Sequence, residues 1–96
     1  MEIILLGTGG PKPDPHRQGP SLAVRIADTF LLFDAGRGVT IQLAKAGIAL
    51  EDISHLFITH HHFDHIGGLG DFILSDIRTD YDGDVVAGTD LMRIRV

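Results

Sequence analysis

Four of the six histidines in the sequence fall within one short segment that also contains an aspartate. The segment reads Thr59-His60-His61-His62-Phe63-Asp64-His65. Residues 53–59, which lead into it, are mostly apolar, β-branched or aromatic and predict a buried strand. Imidazole and carboxylate are ligands that zinc accepts, and manganese or iron also bind them. A metal centre at the end of a strand is therefore predicted. A solvated turn or an expression tag is the alternative, although a tag would not be internal and interrupted.

The spacing of these side chains sorts them into two groups. Because side chains alternate along an extended segment, one face is predicted to carry three of the donors and the other face His61 and Phe63. The three donors are His60, His62 and Asp64. His65 needs a local turn to join the same pocket. The four donors could bind one ion or two, and with two ions Asp64 and His65 would bind the second.

The rest of the sequence predicts the elements that position this segment. Strands are predicted at residues 2–6, 21–27, 30–33 and 53–59, helices at 39–46 and 69–77, and closing strands at 84–87 and 91–96. The loop between the first two strands is glycine-rich at its start and contains several prolines. It lacks the Gly-Lys-Ser/Thr sequence with which a phosphate-binding loop ends, and this argues against a nucleotide site. A stiff loop of this length is typical of a functional segment.

Three charged side chains outside the histidine segment have open interpretations. Asp34 follows a predicted strand and precedes two glycines. It is either a helix cap or an acceptor for the spare N–H of a metal-bound histidine. Arg17 and Arg37 could assist an anionic substrate, or each could form a surface salt bridge.

Composition restricts the class of protein. The 96 residues, 44% of them hydrophobic, are enough for one small domain with a modest core, spanning residues 1–96. No stretch has the pattern of a signal peptide or the length of a membrane span. The absence of cysteine fits a soluble, cytoplasmic protein. A net charge of −5 disfavours a broad nucleic-acid surface without excluding a nucleic-acid substrate.

The motif His60-x-His62-x-Asp64-His65, preceded by Thr59 and followed by two glycines, resembles the signature of the metallo-β-lactamase-fold hydrolases. Three further stretches are similar to the opening of the ribonuclease Z and arylsulfatase-like branch. They are Leu5-Leu6-Gly7-Thr8-Gly9-Gly10-Pro11, Arg17-Gln18-Gly19-Pro20-Ser21 and Leu32-Phe33-Asp34-Ala35-Gly36-Arg37-Gly38. The resemblance is continuous from residue 1 to about residue 77.

This resemblance implies an α/β fold, namely half of an αββα sandwich with a mixed sheet and helices on one face. It implies hydrolysis of phosphodiesters or sulfate esters, small and anionic, by a metal-bound hydroxide. One or two zinc ions are expected, and manganese or iron remain possible. The implied ligands are His60, His62, Asp64 and His65. Asp64 is also the candidate proton acceptor. Asp34 and Thr59 are expected to contact the ligands without binding the metal themselves.

The chain also departs from this family. Family members are longer, and their second half supplies further histidine and aspartate ligands, whereas no histidine follows His65 here. Residues 78–96 resemble the family's last strands joined to its first half. We therefore expect a natural or engineered half-length form, or a chain whose middle has been removed. Its sheet should expose an apolar face, and we expect the chain to form a homodimer that covers this face. A catalytically silent metal-binding half-domain and a nuclease that processes transfer RNA are the alternative functions.

Overall fold

A computed structural model of the chain describes residues 1–59, 61–74, 84–87 and 93. Within these residues, a five-stranded sheet forms the centre of the fold. Its strands are β1 (Glu2–Gly7), β2 (Ser21–Ile26), β3 (Thr29–Phe33), β4 (Ile53–Ile58) and β5 (Asp84–Ala87). They lie in sequence order, with β1, β2 and β3 antiparallel and β4 and β5 parallel to β3. The sheet is therefore mixed, as predicted.

The helices that the structure describes are short. They are α1 (Val39–Ala46), α2 (Phe63–Ile66) and α3 (Leu69–Leu74), with a 3₁₀ turn at Leu50–Asp52. Helix α1 ends as predicted at Gly47, whose φ of 74° is readily adopted only by glycine. Helix α3 begins at Leu69, as predicted, and is described to Leu74. Residues 75–77 of its predicted span lie outside the described residues. The predicted strand at 91–96 also lies outside them, apart from Arg93.

The hydrophobic core lies on one face of the sheet, beneath α1 and α3. Leu32 and Leu56 of adjacent strands and Phe72 of α3 are completely buried there. Because strand side chains alternate between faces, every second residue of β3 and β4 points into this core. The helices thus cover one face, in agreement with the predicted α/β class. No helix within the described ranges has the length and apolar character needed to cross a bilayer.

The opposite face of the sheet is also apolar. Ile3 and Leu5 of β1 are 61% and 66% exposed, and Leu5 pairs with Leu22 in the strand register. The same row continues across β3 and β4, where the rings of Phe33 and Phe57 stack with centroids 5.0 Å apart. Residues in register share a face. Phe57 is only 9% exposed, so the exposed part of this face lies on β1. We refer to that part, with Ile3 and Leu5, as the open sheet face.

Candidate metal centre

Asp34 occupies the turn at the end of β3. Its φ of 62° is uncommon outside glycine, although aspartate tolerates this region better than most residues. The turn is fixed by the Asp34 N–H, which donates to the carbonyl oxygen of Phe57 over 2.7 Å. The helix-cap interpretation of Asp34 is wrong, because the residue before α1 is Gly38 and no side chain caps that helix.

The Asp34 carboxylate instead connects two segments of the chain. Its Oδ1 accepts the Thr59 backbone N–H over 2.7 Å, and its Oδ2 accepts the Thr59 hydroxyl over 2.6 Å. The same Oδ2 lies 2.8 Å from Nδ1 of His65. Asp34 is buried, with 7% of its surface exposed, so these contacts satisfy a charge that would otherwise be costly to bury. The carboxylate holds the end of β4 and a histidine of α2 together.

The contact with Asp34 determines which nitrogen of His65 faces away from that carboxylate. An ionised carboxylate only accepts hydrogen bonds, so Nδ1 of His65 must carry the proton in the contact with Asp34. In the neutral ring, Nε2 then presents a lone pair. This Nε2 lies 3.6 Å from Oδ2 of Asp64. The structure therefore places a ring nitrogen and a carboxylate oxygen side by side at the start of α2.

Helix α2 corrects the predicted geometry of the histidine segment. Strand β4 ends at Ile58, and the chain turns helical at Phe63, directly after His62. The prediction that Asp64 continues an extended face is therefore wrong. Asp64 is brought to His65 by the helical turn, which is closed by the His65 N–H donating to the His62 carbonyl oxygen over 3.0 Å.

The other residues of the segment differ in what the structure describes. His61, His62 and Phe63 are exposed, and Phe63 retains 73% of its surface. His60 lies outside the described residues. Within the described part of the chain, no group of three or more His, Asp or Glu side chains converges closely enough to hold a metal ion.

The Asp64 and His65 donors fit a divalent cation. With Zn–N and Zn–O bonds of about 2.1 Å at a tetrahedral angle, two ligand atoms lie about 3.4 Å apart. The observed separation of 3.6 Å is close to that value. Asp64 is buried, with 7% of its surface exposed, and its carboxylate needs a compensating positive charge. The chemistry and spacing of this pair therefore suit zinc or a similar ion.

Three glycines pack the backbone tightly beside this pair. A Cβ added at Gly68 would lie 2.1 Å from the carbonyl oxygen of Gly36, and one added at Gly36 would lie 2.4 Å from the carbonyl carbon of Gly19. The Gly68 N–H donates to the Ala35 carbonyl oxygen over 2.7 Å. Gly19 is restricted in the same way, because an added Cβ would lie 2.6 Å from the backbone nitrogen of Arg37. Their lack of a side chain allows three segments to meet.

We expect Gly68→Ala to destabilise the fold by about 3 kcal/mol, the upper end for overpacking, because the new methyl group meets backbone rather than a movable side chain. Gly70→Ala is the matched control. Gly70 lies in α3, where no atom of the described residues comes within 4 Å of the added Cβ, so this substitution should stabilise the fold by roughly 0.5–1 kcal/mol. Urea unfolding of both variants measures the difference. Equal stabilities would contradict this close packing.

The two arginines contribute differently to the site. Arg37 is half-buried, and its guanidinium donates to backbone carbonyl oxygens of Arg17 over 3.1 Å and Gly10 over 3.5 Å. Arg17 is exposed at the surface of the proline-containing loop. Arg37 therefore contacts the loop itself, and no pattern in the sequence predicts this interaction. Both roles toward a substrate remain predictions.

The chain is similar to known proteins in sequence and in fold. The sequence matches the family described as Anti-Pycsar protein Apyc1 over residues 1–83. A ribonuclease Z of Mycobacterium sp. (strain KMS) is 49% identical over 75 residues, which cover 78% of this chain and 26% of that protein. The chain thus spans about a quarter of the length of this relative.

Solved structures show the same fold. The short form of human tRNase Z (ELAC1) is 31% identical with a TM-score of 0.74, covering 84% of this chain and 33% of that chain. The metallo-β-lactamase-fold protein YhfI of Bacillus subtilis has a TM-score of 0.79 at 16% identity, and covers 98% of this chain and 49% of that chain. The chain thus matches about a third of the first of these structures and about half of the second.

Proposed function

The chain belongs to the family of the anti-Pycsar protein Apyc1, within the ribonuclease Z-like branch of the metallo-β-lactamase fold, and on that premise we propose that it is a metal-dependent hydrolase of phosphodiesters. One observation carries the proposal. Nε2 of His65, oriented by Asp34, and the buried carboxylate of Asp64 converge to 3.6 Å. Sulfate esters, which share the tetrahedral anionic centre, are the related substrate class.

The proposed ligands are the four that the motif predicts. They are His60, His62, Asp64 and His65. The arrangement of Asp64 and His65 supports their assignment, because a buried carboxylate beside an imidazole lone pair is stabilised by a cation. His60 and His62 are assigned from the motif. We favour zinc as the ion, with manganese or iron as substitutes. The proposal covers one ion or two per chain.

When bound, a divalent cation supplies a Lewis acid for the ester and a strong nucleophile at neutral pH. The residues of this chain prepare the site for that chemistry. Asp34 keeps the proton of His65 on Nδ1, so that Nε2 presents its lone pair to the ion. Asp64 contributes an oxygen ligand, orients the attacking water and accepts its proton. Thr59 fixes the carboxylate of Asp34 through two hydrogen bonds.

Turnover of bis(p-nitrophenyl) phosphate by the purified chain tests this proposal. We expect release of p-nitrophenol that depends on added zinc or manganese, and loss of that release in His62→Ala. His61→Ala is the matched control, because His61 is a neighbouring exposed histidine outside the proposed ligand set. A chain that binds zinc but shows no turnover with either metal would instead be a silent metal-binding half-domain.

A nuclease acting on transfer RNA is the second candidate function. The 49% identity to a ribonuclease Z favours it, whereas the net charge of −5 disfavours a broad phosphate-binding surface. Binding of a transfer RNA precursor, with an affinity that falls steeply as salt rises, followed by cleavage at its 3′ end, would support this candidate. Turnover of the small ester without such binding would favour the first.

We further propose that the open sheet face associates with a second copy of the chain. Ile3 and Leu5 are 61% and 66% exposed, and a sheet of this kind is normally covered on both faces. YhfI, of which this chain covers 49%, is about twice as long, so a second copy would supply a comparable amount of chain. We also propose a cytoplasmic location, because the chain has no cysteine and disulfides are rare in that compartment.

Sedimentation velocity at micromolar concentration tests the association. We expect a species of twice the 10.4 kDa chain mass, because burial of this face removes large apolar side chains from water. Leu5→Lys should shift the protein toward monomer, since a charge would be buried in the interface. Ile41→Lys, which changes a 57% exposed residue of α1, should leave the dimer intact. A wild-type monomer would contradict the proposal.

A further inference from the structure

The loop between β1 and β2, here called the proline loop (residues 8–20), accepts two hydrogen bonds from the side chain of Arg37. The guanidinium of Arg37 donates to the carbonyl oxygen of Gly10 near the start of the loop and to that of Arg17 near its end. A guanidinium presents several N–H donors in a rigid planar fork, which allows one side chain to hold two carbonyl groups. A lysine ammonium has no such fork.

The backbone of the same segment makes further contacts with the proline loop. The Arg37 carbonyl oxygen accepts the Gly19 N–H over 3.1 Å, and the Gly36 N–H donates to the Pro20 carbonyl oxygen over 3.0 Å. The loop is closed on itself where the Gly9 N–H donates to the Gln18 carbonyl oxygen over 2.8 Å. These bonds fix both ends of the loop, and the Arg37 side chain adds one contact just inside each end.

Residues 34–37 contact the proposed metal centre on their other side. Asp34 contacts His65 through its carboxylate, and the Ala35 N–H donates to the His65 carbonyl oxygen over 2.8 Å. A Cβ added at Gly19 would lie 3.1 Å from the carbonyl oxygen of Asp64, so the proline loop approaches α2 directly. The loop, the 34–37 segment and α2 therefore form one continuous packed unit.

The loop encloses an open cavity of about 500 Å³ lined by its own residues. Gly10 and Arg17 are among them. Because the carbonyl groups held by Arg37 belong to Gly10 and Arg17 of this lining, the position of Arg37 determines the shape of the cavity. A loop held in this way, which approaches α2 at Gly19, does not need to be ordered by the substrate.

We infer that Arg37 is a positioning residue. It holds the proline loop against α2, the helix of the proposed ligands Asp64 and His65, instead of binding the substrate. As a statement about the loop, the inference rests only on these contacts. As a statement about substrate binding, it rests on the proposed function. The side chain should therefore affect how well a substrate binds more than how fast it reacts once bound.

Limited digestion with trypsin tests the inference without requiring activity. We expect Arg37→Ala to accelerate cleavage after Arg17 about tenfold or more, because cleavage follows the population in which the loop is open. Cleavage after Lys45, within α1, is the internal reference and should change little. Arg25→Ala is the matched control, since Arg25 also donates to a backbone carbonyl oxygen, that of Ala27, but at the β2–β3 turn.

Two further measurements complete the test. Arg37→Lys, which keeps the charge and removes the fork, should accelerate the same cleavage by a smaller factor, and decides the matter if the alanine variant does not fold. In the active protein, Arg37→Ala should raise KM for bis(p-nitrophenyl) phosphate about three- to tenfold, with kcat within about twofold. Unchanged cleavage after Arg17 in both variants, or equal acceleration after Arg17 and Lys45, would overturn the inference. Loop cleavage that responds as expected in a protein without turnover would refute only the proposed function.

Discussion

Asp64→Ala should lower the turnover of a phosphodiester by about 10²–10⁴-fold, the range for a residue that transfers a proton in the reaction. The substitution removes the oxygen that lies 3.6 Å from Nε2 of His65, and with it one proposed metal ligand and the proposed proton acceptor. Initial rates at saturating zinc measure the effect. Because Asp64 is buried and its charge is costly in the absence of a cation, the fold itself should not lose comparable stability.

The matched control for this prediction is Asp71→Ala. Asp71 is exposed in the first turn of α3, so the substitution removes the same charge from a neighbouring helix without touching the proposed site. We expect its turnover to stay within about twofold of the unchanged protein. Turnover by Asp64→Ala at the level of this control would contradict the role assigned to Asp64.

Asp34→Ala should destabilise the fold by about 3 kcal/mol, because it removes the acceptor of two hydrogen bonds from Thr59 and leaves the amide N–H of that residue without its acceptor. Alanine also tolerates the φ of 62° less well than aspartate does. Denaturant unfolding measures the loss. Asp28→Ala, an exposed aspartate in the β2–β3 turn, is the control and should change stability by less than about 0.5 kcal/mol.

A second variant separates stability from metal binding. Asp34→Asn keeps the shape of the side chain and an acceptor for the Thr59 N–H, but its amide can place N–H donors opposite Nδ1 of His65. The imidazole would then carry its proton on Nε2, where the ion should bind. We expect a 10–100-fold loss of zinc affinity, the usual range for a group behind a metal ligand, with a smaller loss of stability. Unchanged affinity in a folded variant would contradict the orienting role of Asp34.

The sequence contained enough information to predict the sheet and the residues at its end. Alternation marked β2, an apolar and aromatic run marked β3, and apolar, β-branched and aromatic residues marked β4. Gly47 marked the end of α1. These signals arise from neighbouring residues. The histidine segment was recognisable because its donors are close together in the sequence. These features depend on local chemistry, which a single sequence displays.

Two features of the site could not be predicted in the same way. Helix α2 has only four residues, too few for a helical period to be recognised, so an extended geometry was assigned to Asp64. The contact between Asp34 and His65 joins residues 31 positions apart, and the spacing did not distinguish it from a helix cap. Likewise, Arg37 reaches Gly10 across 27 positions. Such contacts depend on how the folded segments pack.

Metal content of the purified protein, measured by elemental analysis and normalised to chain concentration, tests the central claim most directly. The proposed site predicts at least one divalent ion per chain, as purified or after incubation with zinc and removal of the excess, and less than half that amount in Asp64→Ala. Two ions per chain would place a second ion among the same four ligands. A protein that carries no ion and gains none on incubation would contradict the assignment of these side chains as a metal centre, and with it the proposed hydrolase.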